Sequence, residues 1–333
     1  MNEKLLTVVV PAYNMHWCLE KNLRTYADIR FCGKLSVIVL DNSSDDDTFE
    51  IAQKFERAYP DIFTCVKKEN KGYGSSVNAG IAMALNNSEY VRIIDADDWA
   101  DTDMLDSFLC HLANCTADIV QTPYTKVDFA TGCRMQVNIS GSDGEEFSVL
   151  QLSELGILPC LHSSTFRCAL LAEHPFQLQE NTFYVDEELA VLALFYAKDI
   201  CVFRDNVYQY LVNNASQSVS AENMVKYLSH RERVVVRLMN EYEAAVLPEA
   251  NERVCFNRIA LSVGNHYTTL YMLCPDRAAG RRLADRYTQM LKTLHPRFYR
   301  SVKQKRKILF LLNVLGVTPM AYEKLKRFVF GKC

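Results

Sequence analysis

Long apolar runs are absent from this 333-residue chain. The two that stand out, Val8-Val9-Val10 and Ile308 to Leu312, fall well short of the roughly 18 residues that a membrane-spanning helix needs. Nor is there an excess of charge of one sign. The 37 Lys and Arg meet 40 Asp and Glu, a formal net charge of −3, whereas a nucleic-acid partner usually calls for a basic domain. The 12 cysteines include no Cys-x-x-Cys pair, the nearest two being Cys110 and Cys115, and the 7 histidines are not set beside them at zinc-site spacing. They read as reduced thiols used as small hydrophobes. The opening Met1-Asn2-Glu3-Lys4-Leu5-Leu6 has no export layout, and Pro11 directly follows the apolar run; a cytoplasmic location is expected. What remains, 49% hydrophobic and 23% charged, is an ordinary globular composition that excludes disordered, collagen-like and coiled-coil classes. The length suits two structural units.

Short β-branched runs alternate with helical stretches through the first hundred residues. Leu6 to Val10, Leu35 to Leu40, Phe63 to Val66 and Tyr90 to Ile94 read as strands. His16 to Ala27, Asp46 to Tyr59, Ser75 to Leu85 and Met104 to Leu112 read as helices between and after them. The pattern predicts an α/β fold, a mostly parallel Rossmann-like sheet flanked by helices. From Ile119 to Val149 the pattern is looser and more β-like. Further short strands are expected in Leu158 to Arg167 and Ile200 to Val212, around a helix from Asp186 to Tyr196. Beyond Ser220, Ala221 to Tyr242, Asn251 to Leu273 and Arg277 to Leu294 read as helices. These place a boundary near residue 220, with residues 1–220 as the α/β domain and 221–333 as a helical C-terminal unit.

In such sheets the ligand crevice lies beyond the carboxyl ends of the strands. Pro11-Ala12-Tyr13-Asn14, Asp41-Asn42 and Asp95-Ala96-Asp97-Asp98-Trp99 all fall at predicted strand ends. Carboxylates gathered in one crevice repel one another, so a ligand is expected to draw them there. Asp-x-Asp after a strand puts two side chains on one side of an extended backbone. Such a pair can hold a hard divalent cation shared with a phosphate; the alternative is capping of the next helix at Thr102 or Asp103. Asp45-Asp46-Asp47 opens a helix and reads as capping. Asp41 can accept a hydrogen bond from a ribose hydroxyl or a base N–H. The segment Asn70-Lys71-Gly72-Tyr73-Gly74-Ser75-Ser76-Val77-Asn78-Ala79-Gly80 sets glycines ahead of a helix, either to face an anion with backbone N–H groups or simply to turn.

Taken in order, the strand-one end, Asp41, the Asn70-to-Gly80 segment and Asp95-Ala96-Asp97-Asp98-Trp99 resemble glycosyltransferase family 2, the inverting nucleotide-sugar transferases of GT-A fold. The resemblance is close over about the first hundred residues. It continues more thinly through Phe183-Tyr184-Val185-Asp186-Glu187-Glu188 and Tyr208-Gln209-Tyr210 to Ser216-Gln217-Ser218-Val219-Ser220, then fades. It implies that Pro11, Tyr13 and Asn14 line a nucleotide pocket in which Asp41 accepts the N3–H of a uracil. Asn70, Gly72 and Asn78 would also contact the donor. Asp95 would lie by the ribose, and Asp97, with Asp95, would bind Mn²⁺ or Mg²⁺ bridging the diphosphate. Asp186 would be the base that deprotonates an acceptor hydroxyl. The family usually carries Glu-Asp there; here Val185 precedes Asp186, which leaves Glu187 as a competitor. His162 falls in a region that in the family lies near the acceptor, as a metal or substrate group or as a satisfied polar residue; Arg167 supports diphosphate or acceptor, or pairs at the surface.

The resemblance thus implies transfer of a sugar, from a UDP-sugar, to a hydroxyl of a glycan or lipid-linked acceptor in cell-surface polysaccharide synthesis. A non-catalytic sugar-nucleotide-binding or scaffold protein of the same fold is the alternative. A dinucleotide-dependent oxidoreductase would need Gly-x-Gly-x-x-Gly after the first strand, where this chain has Pro-Ala-Tyr-Asn. Residues 300–333 hold nine basic residues against Glu323, a local +8 that leaves −11 for residues 1–299. Interleaved with apolar residues, this tail either lies on an anionic membrane surface at the inner face of the cell membrane or packs on the helical unit with a solvated basic face.

Overall fold

The structure, a computed structural model, describes residues 4–149, 151–152, 159–214 and 220–330. Leu158 and Ser216 to Val219, which the sequence singles out, lie outside the described residues. Two compact units are present: residues 1–214 with 246–254, and residues 215–245 with 255–333.

In the first unit, β1 (Lys4–Ala12) runs parallel between β2 (Leu35–Asp41) and β4 (Ser88–Ile93), and β3 (Phe63–Lys67) adds parallel to β2. The last seven residues of β1 are buried, as Val8-Val9-Val10 requires of a strand covered on both faces. Pro11 sits inside β1 without breaking it. The Val9 carbonyl accepts the Ile94 N–H at 3.0 Å and the Ala12 carbonyl accepts the Asn42 N–H at 2.9 Å. Residue 11, two beyond Val9, therefore faces the β4 side. There the β1–β4 pairing has already ended at Val9 and Ile93, so the missing N–H forfeits nothing.

Beyond β4 the sheet turns mixed. β10 (Ser164–Arg167) lies antiparallel between β4 and β6 (Ile119–Gln121); β11 (Asp199–Val202) is parallel to β6, and β9 (Glu145–Ser148) closes the edge antiparallel. The eight strands run β3-β2-β1-β4-β10-β6-β11-β9. A second sheet, β5-β12-β7-β8, is built from β5 (Trp99–Ala100), β7 (Tyr124–Asp128), β8 (Arg134–Val137) and β12 (Tyr208–Val212). The looser β-like stretch thus resolves into strands shared between two sheets.

Helix bounds differ from the expected ones for local reasons. The first helix covers only Leu19–Arg24, because Thr48 Oγ1 and Asp46 take the backbone N–H groups of Met15 and His16 at 2.7 and 3.2 Å and hold the preceding turn open. The second covers Thr48–Ala58, and Asp46 accepts the Thr48 N–H at its start. The third begins at Gly72 rather than Ser75 and ends at Ala84. The fourth, Thr102–Leu112, is capped by Asp101, which accepts the Met104 N–H at 3.2 Å.

The second unit is helical where described. The stretch expected as one helix from Ala221 divides into Ala221–Lys226 and Leu228–Ala244. Glu249–Thr268 runs on into a π-helical turn, Thr269–Leu273. Against that turn lies Arg277–Leu294, where a Cβ at Gly280 would stand 2.3 Å from the Leu270 carbonyl oxygen. Pro296–Val314 and Pro319–Phe330 complete the unit. The described cysteines are free.

Candidate active site

The parallel strands deliver their carboxyl ends to one edge: Ala12 stands opposite Asp41, and the Ile94 N–H reaches Val9. Ser44 ties the first two ends together. Its hydroxyl accepts the Asn14 N–H at 2.9 Å and donates to Asp41, whose oxygens also accept the Ser44 N–H at 3.2 and 3.3 Å. Asp41 is fully buried and Pro11 is buried, while Tyr13 is 43% exposed at the lip beside exposed Asn14. Asn14 adopts φ +54°, a left-handed conformation that Asn tolerates.

The first turn of the Gly72–Ala84 helix joins the remaining ends. Lys68 Nζ donates to Asn42 Oδ1 at 3.2 Å and to Ser75 Oγ at 2.6 Å, and the Tyr73 hydroxyl donates to Asp95 Oδ1 at 2.7 Å. Asn70 accepts the Gly72 N–H at 3.1 Å in a local turn. The glycines serve a purpose that the sequence leaves open. Gly72 takes φ +78°, with a virtual Cβ 3.0 Å from the Asn181 backbone nitrogen, and a Cβ at Gly74 would stand 2.3 Å from the Gln179 carbonyl oxygen. Both admit the chain segment that leads to Asp186. Asn78 is given to the same segment: its amide exchanges hydrogen bonds with the Leu178 backbone at 3.0 and 2.8 Å. Expected as a donor contact, Asn78 spends both amide atoms on this docking.

Four acids meet where these elements converge. Burial, then the charge of Asp97, push the Asp95 carboxyl up to about 7, against the Tyr73 hydroxyl, which favours the ionised form; the charge of Asp186 adds to the rise. Burial likewise raises Asp97. Asp98 is raised well above the usual range by burial and by Asp97 and Asp95, although it accepts the Tyr208 hydroxyl at 2.6 Å and the Leu211 N–H at 2.7 Å. The three consecutive acids at 186–188 divide their work. Asp186 acts on Asp95, Tyr73 and Tyr210. Glu188, fully buried, accepts the Gln179 N–H at 3.0 Å and holds the segment lying on Gly74. Glu187 is half-buried in the same helix turn.

Residues 7–161 match the family model for glycosyl transferase family 2. Over this span, just under half of the chain, the sequence is similar to that family. Over 97% of its length it is 21% identical to the minor teichoic acid biosynthesis protein GgaA of Bacillus subtilis (strain 168), of which it spans 74%. It spans 18% and 42% of two glycosyltransferases of Streptococcus pneumoniae. The structure of Staphylococcus aureus TarS 1-349 in complex with UDP-GlcNAc aligns with a TM-score of 0.61 and 17% identity, covering 96% of this chain and 92% of that one. A mannosyltransferase from Pyrobaculum calidifontis in complex with GDP-Man and Mn²⁺ aligns with a TM-score of 0.55 and 18% identity, covering 99% and 88%. At these identities the structural likeness establishes the GT-A fold.

The second sheet gives the α/β unit an aromatic wall that periodicity alone did not reveal. Tyr124 and Tyr208 are register partners on β7 and β12, and Tyr210 lies two residues along on the same face. His162 stacks on Tyr210 at 4.1 Å between centroids and packs against Tyr124 and Tyr208. Burial pushes its imidazole down to about 4, so the ring is neutral near pH 7. Behind it the fully buried Arg92 donates to Thr165 Oγ1 and Thr122 Oγ1 at 3.0 Å and to the His162 carbonyl at 2.8 Å. Neither Tyr73 nor Arg92 was marked in the sequence; a buried arginine inside a strand is its own signal.

The residues present fit a divalent cation. Ligand atoms of Asp95, Asp98 and His162 lie within 4.8 Å of one another, an oxygen-rich set with one neutral imidazole. Among the described residues no Lys or Arg forms an ion pair with Asp95, Asp97 or Asp98. Asp98 stands in this trio where the sequence expected Asp97. Asp98 is only 1% exposed and already tied to Tyr208 and Leu211, whereas Asp97 is less deeply buried.

Proposed function

We propose that this chain is an inverting glycosyltransferase that moves a sugar from a UDP-sugar to a hydroxyl of a glycan or lipid-linked acceptor in cell-surface polysaccharide synthesis. The observation that carries this reading is the acidic cluster at the end of β4, where ligand atoms of Asp95, Asp98 and His162 lie within 4.8 Å of one another and the Tyr73 hydroxyl holds Asp95; the charge of Asp186, more than ninety positions on, is felt there. Pro11, Tyr13, Asn14 and Asp41 line the nucleoside side, with the Asn70–Gly72 turn beside them. Asp95 lies by the ribose, and Asp97, with Asp95, would hold Mn²⁺ or Mg²⁺, because Asp98 of the Asp95–Asp98–His162 trio is already tied to Tyr208 and Leu211. The cation, when bound, supplies Lewis-acid stabilisation of charge on the departing diphosphate.

Asp186 removes the acceptor hydroxyl proton as its oxygen attacks the anomeric carbon from the face opposite the leaving group. General-base help of this kind is worth about 10²–10⁴-fold. The charge of Asp186 acts on Asp95 and Tyr210, which supports it as the base, with Glu187 in the same helix turn as its competitor. The names of the relatives, a teichoic acid biosynthesis protein and a UDP-GlcNAc-bound transferase, support a cell-envelope acceptor and a UDP-linked donor.

The test is UDP release from a panel of UDP-sugars with Mn²⁺ or Mg²⁺, without acceptor. The chain should release UDP slowly with a matched donor, and Asp97→Ala should stop it. Donor binding with no release under any cation would replace this reading with the scaffold one.

A further inference from the structure

The helix Pro296–Val314 has two unlike faces. Phe298, Val302, Leu309 and Asn313 are buried within the second unit. On the opposite side, at three- and four-residue spacing, Arg300, Lys303 and Lys307 are followed by Ile308, Leu311, Val314 and Leu315. The last four are 51%, 57%, 56% and 76% exposed, and Met320, opening the next helix, is 71% exposed. The outer face is therefore basic along its first half and apolar along its second.

This apolar end is held rather than frayed. The Arg277 guanidinium donates to the carbonyls of Asn313, Gly316 and Val317 at 2.8, 3.1 and 2.9 Å, satisfying carbonyls that a helix end leaves without partners. Arg281 donates to Asn313 Oδ1 at 2.7 Å from the same neighbouring helix. A cleft of about 280 Å³ on the flank of this face is lined by Arg306, Lys307, Phe310 and Leu311, so cations border apolar residues directly.

We propose that the outer face of residues 300–315, with Met320, docks on an anionic lipid bilayer. Its aliphatic end sits at the headgroup–acyl boundary, and Arg300, Lys303 and Lys307 lie against the phosphates. Contiguous exposed apolar surface beside cations marks an interaction site, and a helix so divided lies in the membrane interface. Among the described residues no helix is long and apolar enough to cross a membrane. Charge selects the occupant: residues 300–333 carry a local +8, which disfavours self-association through this face. The question left by the sequence, membrane or packing, therefore has a joint answer on two sides of one helix. The inference does not depend on the catalytic reading.

The test is flotation of the full chain with vesicles of phosphatidylcholine alone and of an equimolar phosphatidylcholine–phosphatidylglycerol mixture, without nucleotide. Binding should appear only with the anionic vesicles and weaken as salt shortens the Debye length. Leu311→Asp with Leu315→Asp, which removes apolar surface from the interface, and separately Lys303→Glu with Lys307→Glu, which reverses two cations, should each lower binding about tenfold or more. Unchanged circular-dichroism melting would show that these surface variants remain folded. No vesicle binding by the wild type, or binding unaltered in both variants, overturns the proposal. So does a dimer by light scattering that only these variants dissolve.

Discussion

The Tyr73 hydroxyl donates to Asp95 Oδ1 at 2.7 Å, joining the first turn of a helix to the end of β4. Hydrogen bonds to charged groups contribute about 1.5–3 kcal/mol. Tyr73→Phe should therefore lower stability by about 1–2 kcal/mol in urea unfolding and weaken UDP-sugar binding in calorimetry. A variant with wild-type stability and donor affinity would show that the contact positions nothing.

The neighbouring acids at 186 and 187 separate by kinetics. Asp186→Asn should reduce turnover to acceptor by about 10²–10⁴-fold with little change in donor affinity. Glu187→Gln should change it by no more than a few-fold. The reverse order would transfer the role of base to Glu187.

Gly74 reverses an ordinary helix rule. Replacing a helical glycine with alanine usually stabilises by about 1 kcal/mol. Here the added Cβ would stand 2.3 Å from the Gln179 carbonyl oxygen, and overpacking costs about 1–3 kcal/mol. Gly74→Ala should lower the melting temperature and slow turnover, because the same segment leads to Asp186. A rise in melting temperature would mean that the segment yields freely.

Arg92 has a test of charge against geometry. Burial holds its guanidinium down at about 10, and three oxygens on two chain segments depend on its fork. Arg92→Lys keeps a cationic headgroup but cannot reach all three, and each buried group left unsatisfied costs about 1–3 kcal/mol. A loss of about 2 kcal/mol or more is expected in denaturant unfolding; a smaller one would show that one donor suffices.

The His111–Asp205 pair predicts a pH signature. The hydrogen bond from the imidazole at 2.8 Å, followed by the charges of Asp205 and Asp143, raises His111 above its ordinary value of 6.5. The folded state then holds a proton that the unfolded state releases. The stabilisation is fully present below 6.5 and is lost as pH rises through the folded value. Unfolding of wild type and His111→Gln, compared across neutrality, should differ most on the acid side. A difference that grows with pH would invert the assignment.

The amino-acid order alone determined the alternation of β-branched strands and helices, and with it the sheet edge where Asp41 and Asp95 lie, because hydrophobic periodicity acts locally. The Asp-Ala-Asp-Asp run was legible because it follows a strand, whereas the acid at 186 was legible only through the family resemblance, since an acid opening a helix is favourable there in any case. Tertiary structure alone decided what those residues meet. The second sheet, the Tyr124–His162–Tyr210 wall and the docking of residues 178–181 on Gly72 and Gly74 are contacts between distant segments. They follow from pairing register and close backbone approach, which no local pattern encodes. The divided face of the Pro296–Val314 helix stands between the two. Its periodicity is written in the sequence, but which side is covered depends on the helices packed against it.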